Sequence, residues 1–107
     1  MTPRELAARA ESAAPEQQRD LLEEAIECAP HLTPHARVRA RTFVAMGAYV
    51  DTALMLVPEG MDWAAGTTVK GDAFANLDFH KAAYAATPAL ALLVAICRSK
   101  ETADADT

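Results

Sequence analysis

The chain is poor in the residues that usually announce a chemistry. It has two cysteines, four glycines and one tryptophan, and aromatics are only 6% of it. Neither Cys28 nor Cys97 belongs to a CxxC pair, and both sit in apolar helical runs. Both are expected as reduced core residues of a cytosolic protein. The scattered glycines form no GxGxxG and no phosphate-binding loop, so a nucleotide site is set aside. A GxSxG nucleophile motif is also missing. The longest apolar run, Ala89 to Cys97, is about half of what crosses a bilayer. The opening MTPREL has no apolar signal-peptide core. These absences predict a cytoplasmic protein that is neither secreted nor membrane-embedded. Basic residues are outnumbered, ten Lys and Arg against fifteen Asp and Glu, for a net charge of -5. A general nucleic-acid binder needs the opposite balance, because it must displace phosphate counterions.

What is present is an ordinary globular composition. Apolar residues make up 51% of the 107 positions and charged residues 23%. That length is one domain's worth and supports a single core. Alanine is abundant, and small side chains favour closely packed helices. The acidic surface suits solubility and also suits a basic protein partner.

Three Thr-Pro dipeptides punctuate the chain as helix starts, with Thr as cap and Pro in the first turn. Thr2-Pro3, with Glu5 completing a capping box, opens a helix striped by Leu6, Ala10 and Ala13 or Ala14. Pro15 either kinks this helix or opens a second one. Leu21, Leu22, Ala25, Ile26 and Ala29 continue at helical spacing, with Glu23, Glu24 and Glu27 opposite, and Pro30 ends the run. Thr33-Pro34 starts the next helix, along which Val38, Phe43, Met46, Val50, Leu54 and Val57 keep a helical period. Residues 34–57 are either one helix or two broken at Gly47; the alternation around Arg39 is also compatible with a short strand. Pro58-Glu59-Gly60 stops the helix and predicts a positive φ at Gly60. Thr67-Thr68-Val69 is β-prone, and Lys70-Gly71-Asp72 is a turn. Ala73, Ala75, Leu77 and Phe79 then alternate with Phe74, Asn76, Asp78 and His80, which predicts a half-buried strand. A third short strand at 82–86 is an option. Thr87-Pro88 opens the last helix, striped by Leu90, Leu93, Val94 and Cys97, with Arg98 and Lys100 in its final turn. The expectation is one α+β domain over residues 1–100. N-terminal helices precede a small antiparallel sheet, a hairpin or three strands, and the C-terminal helix packs on it. Residues 101–107 read as a disordered acidic tail.

Two blocks resemble a known family. They are Val50-Asp51-Thr52-Ala53-Leu54-Met55-Leu56-Val57-Pro58-Glu59-Gly60 and Ala86-Thr87-Pro88-Ala89-Leu90-Ala91-Leu92, with Trp63 soon after the first and a β-prone stretch between. In this order they resemble the phage ABA sandwich domain, small proteins of phages and prophages. LAARAE and LLEEAI near the start also look like that family's first helix; His31 to Phe43 has no counterpart. The resemblance implies helices around a small sheet and a phage setting. It implies no activity, cofactor or site residue.

Candidate chemistry is sparse. Cys28, His31 and His35 fall short of the four ligands of a structural zinc site, and they read as two loop histidines beside a core cysteine. No cofactor or metal is expected. Asp51 reads as a solvent-facing or capping carboxylate. Arg37 and Arg41 share a helix face and read as partners of the preceding glutamates. Asp78 and His80 share a strand face, a chemically usable pair with no site around it. The expected function is therefore non-enzymatic: a phage-encoded protein that binds a host or phage protein, as an anti-CRISPR-like inhibitor of a basic, nucleic-acid-handling defence complex does. A virion assembly accessory and a small enzyme or zinc domain are the alternatives. The carboxylates Asp72 and Asp78, with His80 beside them, are the expected partner contacts, near one another on the hairpin.

Overall fold

The computed structural model describes residues 2–78 and 81–105, the last five by backbone alone. Helix α1 (Pro3–Ser12) begins as its sequence requires, with the Thr2 hydroxyl accepting from the Glu5 N–H at 3.2 Å. Pro15 opens a single 3₁₀ turn, Pro15–Gln17, which runs into α2 (Gln18–Glu27). Leu21, Leu22, Ala25, Ile26 and Ala29 are all buried, as their spacing requires.

Residues 34–57 form two helices, α3 (Pro34–Ala45) and α4 (Tyr49–Leu56). Gly47 separates them at φ +78°. The Ala48 N–H reaches back to the Phe43 carbonyl at 2.8 Å, and the Gly47 N–H to Val44 at 3.0 Å. This is the Schellman ending, which places a left-handed residue just past the helix cap and so favours glycine. The stripe drawn across the turn follows the buried face of neither helix, and it departs from that of α3 already before the break. Val38 and Met46 are 61% and 74% exposed. Ala40 and Val44 of α3, with Ala53 and Leu56 of α4, take the buried positions instead.

The α4 helix stops before Pro58, and Gly60 has φ +86°. Three strands follow: β1 (Trp63–Thr67), β2 (Ala73–Leu77) and β3 (Ala83–Ala85). They form an antiparallel sheet in the order β1-β2-β3. The first strand begins at Trp63, four residues earlier than the Thr67-Thr68-Val69 stretch suggested, and ends at Thr67. Ala73, Ala75 and Leu77 are buried on one face, as the alternation predicted. Phe79 and His80 lie outside the described residues.

Helix α5 (Pro88–Ala105) is capped by Thr87, whose hydroxyl accepts from the Leu90 N–H at 3.2 Å. It continues as far as Ala105, through residues 101–105 that were expected to begin an acidic tail. Arg98 and Lys100 therefore lie mid-helix, and Arg98 forms an ion pair with Glu11 of α1. The helix packs on the sheet, touching all three strands, and on its other side it meets α1, α2 and α4. All nine residues from Ala89 to Cys97 are buried. A helix apolar on every side belongs inside a protein, so the expected single stripe becomes a fully enclosed cylinder. α3 lies outermost, against α2 and α4 alone among the described elements. No described helix is long and apolar enough to cross a membrane.

Candidate functional site

Asp72 and Asp78 are exposed but not adjacent. Asp72 precedes β2 and Asp78 follows it. At about 3.3 Å per residue the two lie roughly 20 Å apart along the strand. Each closes one end of the β1–β2 hairpin. At the turn, the Thr68 hydroxyl donates to the Asp72 carboxylate, and the Thr68 N–H donates to the Asp72 carbonyl at 2.8 Å. At the open end, the Asp62 N–H donates to Asp78 Oδ1 at 2.7 Å, and the Asp78 N–H to the Asp62 carbonyl at 2.8 Å. Asp78 adopts φ +49°, a left-handed conformation that Asp tolerates better than most residues. The expected patch of neighbouring carboxylates is thus corrected: these side chains are hairpin clasps at opposite ends. His80, the third expected contact, is not among the described residues.

The more suggestive surface is the sheet face turned away from α5. Cross-strand register places Ala64 beside Asn76, and Gly66 beside Phe74, which in turn faces Tyr84. No described helix covers this face; the sheet meets α5 and, at β3, α1. Tyr84 is 55% exposed. The Phe74 ring lies over Gly66, where a Cβ would come within 3.1 Å of Phe74 Cε1. That glycine leaves room for an aromatic ring to lie flat across two strands. None of the residues of the three strands is charged. Exposed Asp62, Asp72, Asp78, Lys70 and Lys81 ring the strand ends.

Elsewhere the residues settle into structural roles. Asp51 is exposed in the first turn of α4. The Arg37 guanidinium donates to the carbonyls of Ile26 at 2.5 Å and Ala29 at 2.6 Å, closing the end of α2. Arg41 pairs with Glu27, as its place on the helix face suggested, and Arg39 is exposed. Cys28 is exposed and only Cys97 is buried, which corrects the reading of two core thiols. The reason is positional: Cys28 is the cap residue beyond α2, no longer on its buried face. Both cysteines line an open, largely apolar cavity of about 390 Å³ between α1, α2, α4 and α5, with Lys100 also in its wall. Among the described residues, no group of three or more His, Cys, Asp or Glu side chains is placed to hold a metal ion.

Sequence reasoning reached Phe74 through the strand alternation, but it passed over Tyr84 as a surface anchor. The available signal was compositional: three β segments without charge in a chain that is 23% charged. No family model, curated protein or solved structure matches this chain.

Proposed function

We propose that this protein acts by covering a surface of another protein with the outward face of its sheet, and that it turns over no substrate. One observation carries the reading: an uncovered, charge-free sheet face bearing Phe74 and Tyr84, ringed by charged side chains, three aspartates and two lysines, at the strand ends. Interface centres are depleted in charge and enriched in Tyr, Trp and Phe, while their rims stay polar. The net charge of -5, to which this mixed rim adds a small acidic excess, favours a basic partner surface. Complexes that handle nucleic acid carry such surfaces. The resemblance to phage ABA sandwich proteins supplies the setting. On this reading the chain is a phage or prophage product that works in the host cytoplasm as a stoichiometric inhibitor of a defence complex.

The test is retention of host proteins from infected cells on the immobilised chain, with Tyr84→Lys as the control. The purified partner should lose activity completely near one chain per site, and binding should weaken as salt rises. Tyr84→Lys should weaken binding at least tenfold without altering the circular dichroism spectrum. Substoichiometric, catalytic inactivation of the partner defeats the proposal and puts an enzyme in its place. Recovery of the chain from purified virions, with no host protein retained, would favour an assembly role.

A further inference from the structure

The free edge of the sheet at β1 carries an inference that goes beyond partner binding and uses a different surface, the edge instead of the face. In an antiparallel ladder, alternate residues turn their N–H and C=O groups toward the same neighbour. The bonds from Asp78 to the Asp62 carbonyl and from Thr68 to the Asp72 carbonyl set the phase of β1. Its even-numbered positions face β2. Trp63, Ala65 and Thr67 therefore direct their backbone groups away from the sheet, on a side with no neighbouring strand among the described residues. Natural edges are usually guarded by charge, proline or a bulge, since an open edge templates pairing with another chain. The sequence of β1, Trp-Ala-Ala-Gly-Thr, contains neither charge nor proline, and its pairing with β2 is unbroken.

What flanks this edge indicates its occupant. Exposed Asp62 stands at its start and exposed Lys70 in the turn after it, and neither has an ion pair among the described residues. Trp63 is 49% exposed, and Val69 in the turn is fully so. A two-fold axis across an antiparallel edge brings the start of each strand beside the end of its partner. Two copies of β1 related this way set Asp62 beside the partner's Lys70, and Trp63 beside the partner's Val69, each pair occurring twice. Gly66, without a side chain, falls close to the axis. A net charge of -5 opposes self-association in general, yet this strand is neutral and its two ends carry opposite charges.

We propose that two copies of this chain pair through β1, antiparallel and about an axis near Gly66, to form one continuous six-stranded sheet. Sedimentation equilibrium over a range of micromolar concentrations tests it. The mass should rise from 11.4 kDa toward twice that value. Asp62→Lys and Lys70→Asp should each raise the dimer dissociation constant by roughly tenfold, because each like-charge contact is made twice. The double variant, with the charges exchanged, should recover the parental constant. Thr67→Pro removes one outward N–H while leaving the bonds to β2 in place, and it should give a monomer with an unchanged circular dichroism spectrum. A monomer at every concentration overturns the proposal. So does a dimer that is indifferent to both single reversals and to Thr67→Pro. Tyr84→Lys leaves this edge intact, so loss of partner binding and loss of dimerisation are read separately.

Discussion

Two arginines four positions apart on α3 do different work, although both approach the end of α2. Arg37 is half-buried, and its fork donates to the carbonyls of Ile26 and Ala29. Those acceptors lie at and just beyond the end of α2, where the regular helical bonding stops. Arg41 meets the Glu27 carboxylate with both side chains about half exposed. Each carbonyl bound by Arg37 also accepts a longer backbone bond, Ile26 from the Ala29 N–H at 3.3 Å and Ala29 from the Leu32 N–H at 3.4 Å. Removing Arg37 thus forfeits two short charge-assisted bonds at a part-buried site, whereas an exposed ion pair contributes little. Arg37→Met should therefore destabilise the fold by about 1–3 kcal/mol in urea unfolding, and Arg41→Met by less than about 1 kcal/mol. Arg37→Lys should recover only part of the loss, because an ammonium cannot fork between two carbonyls. Equal effects at the two positions would mean that the bonds to the α2 carbonyls contribute no more than the surface pair. The sequence showed that Arg37 and Arg41 share a face, but not that one of them serves as the cap of another helix. That role depends on where α2 stops, two residues before Ala29.

At the scale of elements, what was legible were features that act within one turn or one strand. The three Thr-Pro starts, the α2 stripe and the β2 alternation depend on local backbone geometry, and the structure reproduces each. What was not legible was phase across a break. An apolar period persists through Gly47 in the letters, but the positive φ there rotates α4 relative to α3. The candidate site divides along the same line. The outward position of Phe74 followed from alternation within β2, while the separation of Asp72 from Asp78 followed from where the strand begins and ends. A direct comparison tests the α4 register. Leu56 is buried and Leu54 is only half-buried. Leu56→Ala should cost about 2–5 kcal/mol through lost transfer energy and a cavity. Leu54→Ala should cost roughly 1–2 kcal/mol, in proportion to the smaller area it withdraws from water. The reverse order in thermal or urea denaturation would show that α4 is rotated about its axis.

For the whole molecule, the central question is whether the sheet and the helices unfold together. Among the described residues, α5 is the only helix in contact with all three strands, and it also touches α1, α2 and α4. Its buried run from Ala89 to Cys97 is shared by both sides of the fold. Losing the sheet would expose one side of that run, and losing the helices the other, so neither half keeps its core alone. Two optical probes separate the halves. The single tryptophan, Trp63, sits on β1 and reports the sheet, while far-ultraviolet circular dichroism reports the five helices. Below the concentration at which edges pair, urea unfolding should give coincident midpoints by both probes, as a two-state domain of this length requires. Leu92→Ala, at a fully buried α5 position, should move both midpoints down together. Earlier loss of the tryptophan signal would identify the sheet as a separately melting unit. In that case the face bearing Phe74 and Tyr84 would be displayed on a labile element, and partner binding would have to order it, reducing affinity by the cost of that ordering. Coincidence means instead that α5 presents the face pre-organised, so that binding energy is not spent on assembling the surface that binds.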